Sequence, residues 1–193
     1  SPIPVSVKSR LGLTDPQEFP RLLDIFNRYP ILELTLHPRV RKAFYSGDVD
    51  MEMFAYCAEM SKNPVCYNGD IFALEDISRI KSRFPQVKSV MIGRGLIGDP
   101  GMLTPGGTTA EALEGMFDAM LKEIQAFHDE LLDAYVDAFG GARNAMFRMK
   151  ENWRHFLCNF ENSEKLGKRL RKTTDLEEYK AITREIFHTL PLK

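Results

Sequence analysis

Four clusters in the first hundred residues have types and spacing suited to holding an anion: Lys8 with Arg10, His37 with Arg39 and Arg41, Asn68-Gly69-Asp70, and Gly93-Arg94-Gly95. Glycines let a ligand approach the backbone and let N–H groups turn toward a phosphate, and an arginine adds a two-pronged charged donor. Taken singly, Asn-Gly-Asp is a turn, Gly-Arg-Gly a tight loop, Lys8 a snorkelling side chain and His37 a satisfied buried histidine. Their recurrence after four successive apolar runs points to a phosphate-bearing ligand.

Those runs are Val5 to Val7, Ile31 to Leu36, Val65 to Tyr67 and Val90 to Ile92, and each reads as a buried strand. Helical patterns separate them. Asp15-Pro16-Gln17-Glu18 is a cap with Pro at the first helical position, and Phe19, Leu22, Leu23 and Phe26 follow on one face, with Pro20 delaying the start. Met51 to Met60 and Leu74 to Phe84 repeat the pattern. Strand-to-strand steps of roughly 24 to 32 residues are the size of a βα unit that crosses over to a parallel neighbour. Four such units make half of a (β/α)8 TIM barrel, which takes about 250 residues in all; a small open parallel sheet is the alternative. Barrels commonly seat a phosphate on the loops after their last two strands, which the Asn68 and Gly93 loops would be if these are strands five to eight.

The 193 residues carry 44% apolar and 27% charged side chains, which excludes disordered and collagenous chains. No run approaches the roughly 18 apolar residues of a membrane span, and Ser1 to Gly12 lacks the blocks of a signal peptide, so a cytoplasmic chain is expected. Cys57, Cys66 and Cys158 are too scattered for a disulfide framework or a metal site and read as core.

The net charge of -1 conceals a swing: residues 101–140 hold one basic side chain, Lys122, against eight acidic ones, and residues 141–172 hold nine basic against three acidic. The second part of the chain therefore reads as a separate unit, 106–193, after a unit 1–105. Gly106-Gly107 separates them, and Thr108-Thr109-Ala110-Glu111 caps a long helix to Phe139 with Leu113, Met116, Phe117, Met120, Ile124, Phe127, Leu131 and Leu132 as its apolar stripe. Gly140-Gly141 stops it. A helix from Ala142 to Phe160 and one capped by Thr174-Asp175 complete an all-α bundle of three or four helices. Arg143, Arg148, Lys150, Arg154, Lys165, Lys168, Arg169, Arg171 and Lys172 outnumber the acidic side chains near them. The surplus suits RNA phosphates; a solvated basic face is the other reading.

Val5 to Gly12, Leu36-His37-Pro38-Arg39, Asn68-Gly69-Asp70-Ile71 and Val90 to Gly95, in that order and at those separations, resemble the later half of the tRNA-dihydrouridine synthase family. Lys150-Glu151-Asn152-Trp153 and the basic stretch to Lys172 resemble its C-terminal domain. The resemblance implies an FMN enzyme built on a barrel that uses NADPH to reduce uridine in tRNA. It implies that Lys8 contacts the flavin ring, that His37 lies against it with Arg39 nearby, that Asn68, Gly69, Gly93 and Arg94 hold the phosphate, and that Asp70 orders its loop. The sequence context of the family's general-acid cysteine is absent, so no catalytic residue is assigned. The expectation is a fragment, silent by itself and associating through exposed barrel edges. A non-catalytic RNA-binding module with a degenerate half-barrel, or another FMN or phosphate-binding barrel oxidoreductase, are the alternatives.

Overall fold

A computed structural model describes residues 3–103 and 110–193, with the side chains of 110–114 outside the described set. The Gly106-Gly107 junction and most of the Thr108 to Glu111 cap lie outside the described residues, as does the side chain of Leu113. The chain forms two compact units, 1–93 and 94–193.

In the first unit β1 (Val7–Arg10), β2 (Leu34–His37), β3 (Val65–Tyr67) and β4 (Ser89–Val90) form one parallel sheet in the order β1-β2-β3-β4. The helices α1 (Phe19–Phe26), α2 (Met51–Met60) and α3 (Leu74–Arg83) make the crossovers. Each strand lies beside its predecessor, as in the winding of a barrel; a doubly wound open sheet reverses its order at a switch point, and these four strands do not. The architecture is the half-barrel followed by helices that the sequence predicts.

β1 and β2 begin later than the apolar runs that announce them. Val7 N–H donates to Glu33 O at 2.9 Å, and the ladder continues through Lys8, Ser9 and Arg10, whose polar side chains hide them from a reading based on apolar runs. The late start of α1 is observed: a 3-10 turn, Pro16–Glu18, precedes it, and Asp15 accepts from Gln17 N–H at 2.9 Å. Glu18 accepts from the N–H groups of Leu13, Thr14 and Asp15, which hold its carboxyl down to about 2. Asp50 caps α2 through Met53 N–H at 2.9 Å, a contact worth about 1 kcal/mol.

Register and the two-residue period of a strand sort the side chains onto opposite faces. Lys8, Thr35, Cys66 and Ser89 are partners in one row, and Arg10 and His37 sit in the row above on the same face. Leu34, Leu36 and Tyr67 take the other face, where Phe54 of α2 packs edge-on between Tyr67 at 4.8 Å and Phe84 at 5.0 Å. All candidate side chains of the sheet therefore share one face.

The second unit comprises α4 (Arg94–Gly98), α5 (Ala110–Phe139), α6 (Ala142–Phe156), α7 (Glu164–Lys172) and α8 (Leu176–Thr189). It begins earlier than the 105/106 junction read from sequence texture, because α4 packs against α6. Ile124, Met146, Met149, Trp153, Phe156, Tyr179, Ile182 and Ile186 form the core of the bundle. Gly140 adopts φ +67°, a conformation costly for any residue with a Cβ, and turns the chain from α5 into α6.

Candidate functional site

Lys8 projects from β1, and its Nζ donates to Asn68 Oδ1 at 2.8 Å, reaching past β2 to the end of β3. Asn68 Nδ2 in turn donates to Met91 O at 2.7 Å, just past β4. One amide thus ties Lys8 of β1 to the C-terminal ends of β3 and β4, with its oxygen facing the lysine. Partial desolvation, followed by the charge of Arg10, holds the Lys8 pKa below its ordinary value.

His37 ends β2 and is buried, as is Arg39 two residues on. Arg39 directs Nε and Nη2 at Gly47 O, Nη1 and Nη2 at the two carboxylate oxygens of Asp70, and Nη1 at His37 Nε2, 3.2 Å away. That uses all five guanidinium N–H groups. Arg39, expected beside the cofactor, has no donor left for a phosphate. It acts instead on its neighbours: because a guanidinium can only donate, His37 Nε2 must accept, which leaves the ring proton on Nδ1. Burial first, then the charges of Arg10, Lys8 and Arg39, push the His37 pKa down to about 4, so the ring stays neutral at pH 7.

Asp70 takes φ +42°, a conformation that aspartate tolerates better than most residues. Gly69 is required for a different reason: a Cβ there would meet Val49 Cγ1 at 2.9 Å and Tyr67 Oη at 3.1 Å. A Cβ at Gly93 would meet nothing within 4 Å, so the backbone there is open to approach. Arg94 follows it directly in the chain and opens α4 of the second unit.

Three contributions escape a sequence reading. Gly47 O and Met91 O are backbone acceptors and have no residue-type signal. Arg10 donates to Val40 O at 3.0 Å and Phe44 O at 2.7 Å and lies 5.5 Å from the Tyr45 ring centre, which shapes the loop after β2. Glu33 accepts from Ser89 Oγ at 2.6 Å beneath the cationic row, adding polar groups to a face whose strands are marked in sequence by apolar runs.

The basic residues of the second unit sort by helical period. Leu166, Gly167 and Leu170 face inward on α7, which leaves Lys165, Lys168, Arg169 and Lys172 at i, i+3, i+4 and i+7 outward, with Arg171 also exposed. Arg169 pairs with Glu185 at 3.1 Å and Arg148 with Glu151 at 3.0 Å. Among the described residues Arg143, Arg154, Lys165, Lys168, Arg171 and Lys172 form no ion pair with a carboxylate. Lys150 gives one of its three protons to Thr173 O at 2.6 Å. Of the thiols, Cys57 and Cys66 are core, and burial pushes Cys57 up to about 12. Cys158, also read as core, is exposed, because it sits on the outer side of the 3-10 turn Leu157–Asn159.

A family model described as Dihydrouridine synthase (Dus) matches residues 1–189. The chain belongs to the dihydrouridine synthase family. It is 36% identical over 138 residues to a protein of Rickettsia bellii named "Probable tRNA-dihydrouridine synthase", covering 66% of this chain and 41% of that relative. A Rickettsia typhi protein of the same name is 30% identical over 149 residues, covering 72% and 43%. A Vibrio parahaemolyticus protein named "tRNA-dihydrouridine(16) synthase" is 31% identical over 101 residues, covering 52% and 31%. The chain thus spans less than half the length of these relatives. The family's barrel fold matches the parallel winding of β1 to β4. Among the described residues no helix is long and apolar enough to cross a membrane.

Proposed function

We propose that residues 1–105 form the phosphate-side half of an FMN site and residues 106–193 an RNA-binding unit, which together serve the NADPH-dependent reduction of uridine to dihydrouridine in tRNA. The bond from Lys8 to Asn68 carries this reading, because it sets a cation on the shared polar face, at the strand ends where barrels place their ligands. The residues fit the cofactor. Lys8 gives one proton to Asn68 and keeps the others for a ligand; His37, with Nε2 facing Arg39, carries its proton on Nδ1; Gly93 leaves its backbone open.

When bound, FMN would supply the hydride that reduces the ring of the base. The chain's own residues bind and orient. Lys8 favours negative charge where it develops, neutral His37 donates one hydrogen bond without adding charge, and Arg39 with Asp70 hold that ring in place. Asn68, Gly69, Gly93 and Arg94 would hold the phosphate. The outward basic residues of α6 and α7 would neutralise tRNA phosphates. A cytoplasmic location accords with a tRNA substrate and three unpaired thiols. β1 and β4 are paired on one side only among the described residues, and through these edges the 193-residue chain would associate.

The test is the purified full-length gene product. A flavin absorption band together with NADPH-dependent dihydrouridine in tRNA is expected. A colourless protein that binds tRNA would establish the non-catalytic module instead, and a yellow one that leaves tRNA untouched another FMN oxidoreductase.

A further inference from the structure

The corner between α5 and α6 carries two exposed aromatic rings that the basic-surface reading does not use. Phe139, the last residue of α5, and Phe147, on α6, are 42% and 43% exposed, and with Asn144, Arg148 and Glu151 they line an open groove of about 290 Å³. Leaving two phenylalanines in water loses burial that a rearranged corner would recover. The corner is nevertheless built, since Asn144 Nδ2 donates to Phe139 O at 3.2 Å and Tyr135 packs on Phe139 at 5.4 Å.

Cations alternate with the rings. The Arg148 guanidinium lies 5.8 Å from the Phe139 ring centre and Lys150 Nζ 5.1 Å from that of Phe147. Arg143, Phe147, Lys150 and Arg154 follow one another at i, i+4, i+7 and i+11 along a single face of α6. Glu151, paired to Arg148, sets a carboxylate inside the groove. That carboxylate repels a phosphate but accepts from the N–H groups of a nucleobase edge, while the cations around it attract the phosphates on either side of that base.

We propose that this corner is a stacking platform for one unpaired nucleotide of the bound RNA, with Phe139 and Phe147 as its walls. Every base has a π-face, so such a platform adds affinity without counting as a phosphate contact. The inference rests on the RNA-binding role proposed above, and the experiment separates the two.

Binding of an unmodified tRNA transcript to the full 193-residue chain is measured by anisotropy across a salt series. Phe139→Ala with Phe147→Ala should weaken binding about 10- to 100-fold and leave the salt slope unchanged. Phe147→Tyr should bind as the parent does, and Phe147→Leu should bind like the alanine variant. Charge reversal at Lys168, Arg169 and Arg171 should lower both affinity and slope. Unchanged affinity in the double alanine variant, or full affinity in the leucine variant, overturns the platform while the basic surface stands. Absence of parental binding, or a charge-reversed variant identical to the parent, overturns the RNA role itself. Should the alanine pair melt at a lower temperature, Phe147→Trp gives an independent reading: its fluorescence should be quenched by tRNA while Trp153, buried in the core, is not.

Discussion

Lys8 and Asn68 are joined by a 2.8 Å hydrogen bond across sixty residues of sequence, so the lysine's position is set by the end of a strand two places away. Asn68→Ala therefore acts on Lys8 as well as on any phosphate. In the full-length protein it should weaken FMN retention about tenfold, as should Arg94→Ala through loss of a charge-assisted contact of about 1.5 to 3 kcal/mol. Lys8→Ala should slow flavin reduction more than it weakens binding, since its charge matters most once the ring is reduced. Flavin content after gel filtration and stopped-flow reduction separate the two effects.

Arg39→Met removes the guanidinium from which Asp70 and Gly47 O accept. Arg39 is buried but Asp70 stays partly in solvent, so the loss should cost about 1 to 3 kcal/mol and lower the thermal unfolding midpoint by a few degrees. Arg39 is also one of the charges that hold the His37 ring neutral. The His37 pKa, about 4 in the parent, should therefore rise in Arg39→Met, as read by proton NMR of the ring. An unmoved pKa would refute the role given to Arg39.

His128 is buried in the helical unit, with Nε2 2.9 Å from Tyr179 Oη and Nδ1 2.8 Å from Asp129. Trp153 Nε1–H donates to the same hydroxyl at 2.9 Å. The hydroxyl then gives its own proton to His128 Nε2, and the ring donates through Nδ1. Burial lowers the His128 pKa, and His37 is lowered to about 4. Both histidines are harder to protonate folded than unfolded, so their stabilisation is complete above the unfolded value of about 6.5. It is lost as pH falls below that value, for His37 down to about 4, at up to about 1.4 kcal/mol per pH unit for each group. Chemical denaturation at pH 7, 6 and 5 should show a declining midpoint. Tyr179→Phe should cost about 1 to 3 kcal/mol at pH 7, because it strands the Trp153 donor.

Thiol labelling should distinguish the three cysteines. In the native chain Cys158 alone should react within minutes, while Cys57, buried with a pKa near 12, and Cys66 should wait for denaturant. Prompt modification of all three would show that the half-barrel core is open.

The strand-to-strand spacing and the caps at Asp15 and Asp175 depend on local residue types, and the sequence determines them unaided. It also places His37, Asn68 and Gly93 at or just past strand ends, because the periodicity that marks a strand also marks where it stops, whereas Lys8 is the second residue of β1 and reaches those ends only through its side chain. What it cannot specify is who pairs with whom. Arg39 looks like a ligand-binding cation until Gly47 O and Asp70 take its donors, and a backbone carbonyl carries no residue signature. β1 is mislaid by two residues because its ladder runs through Lys8, Ser9 and Arg10, which no apolar pattern marks. His128, Tyr179 and Trp153 lie far apart in sequence on three helices, and the pattern around Cys158 marks it as core although it faces outward. Hydrogen bonding and burial are properties of neighbours in space, and only the packing of the helices and the register of the strands decide them.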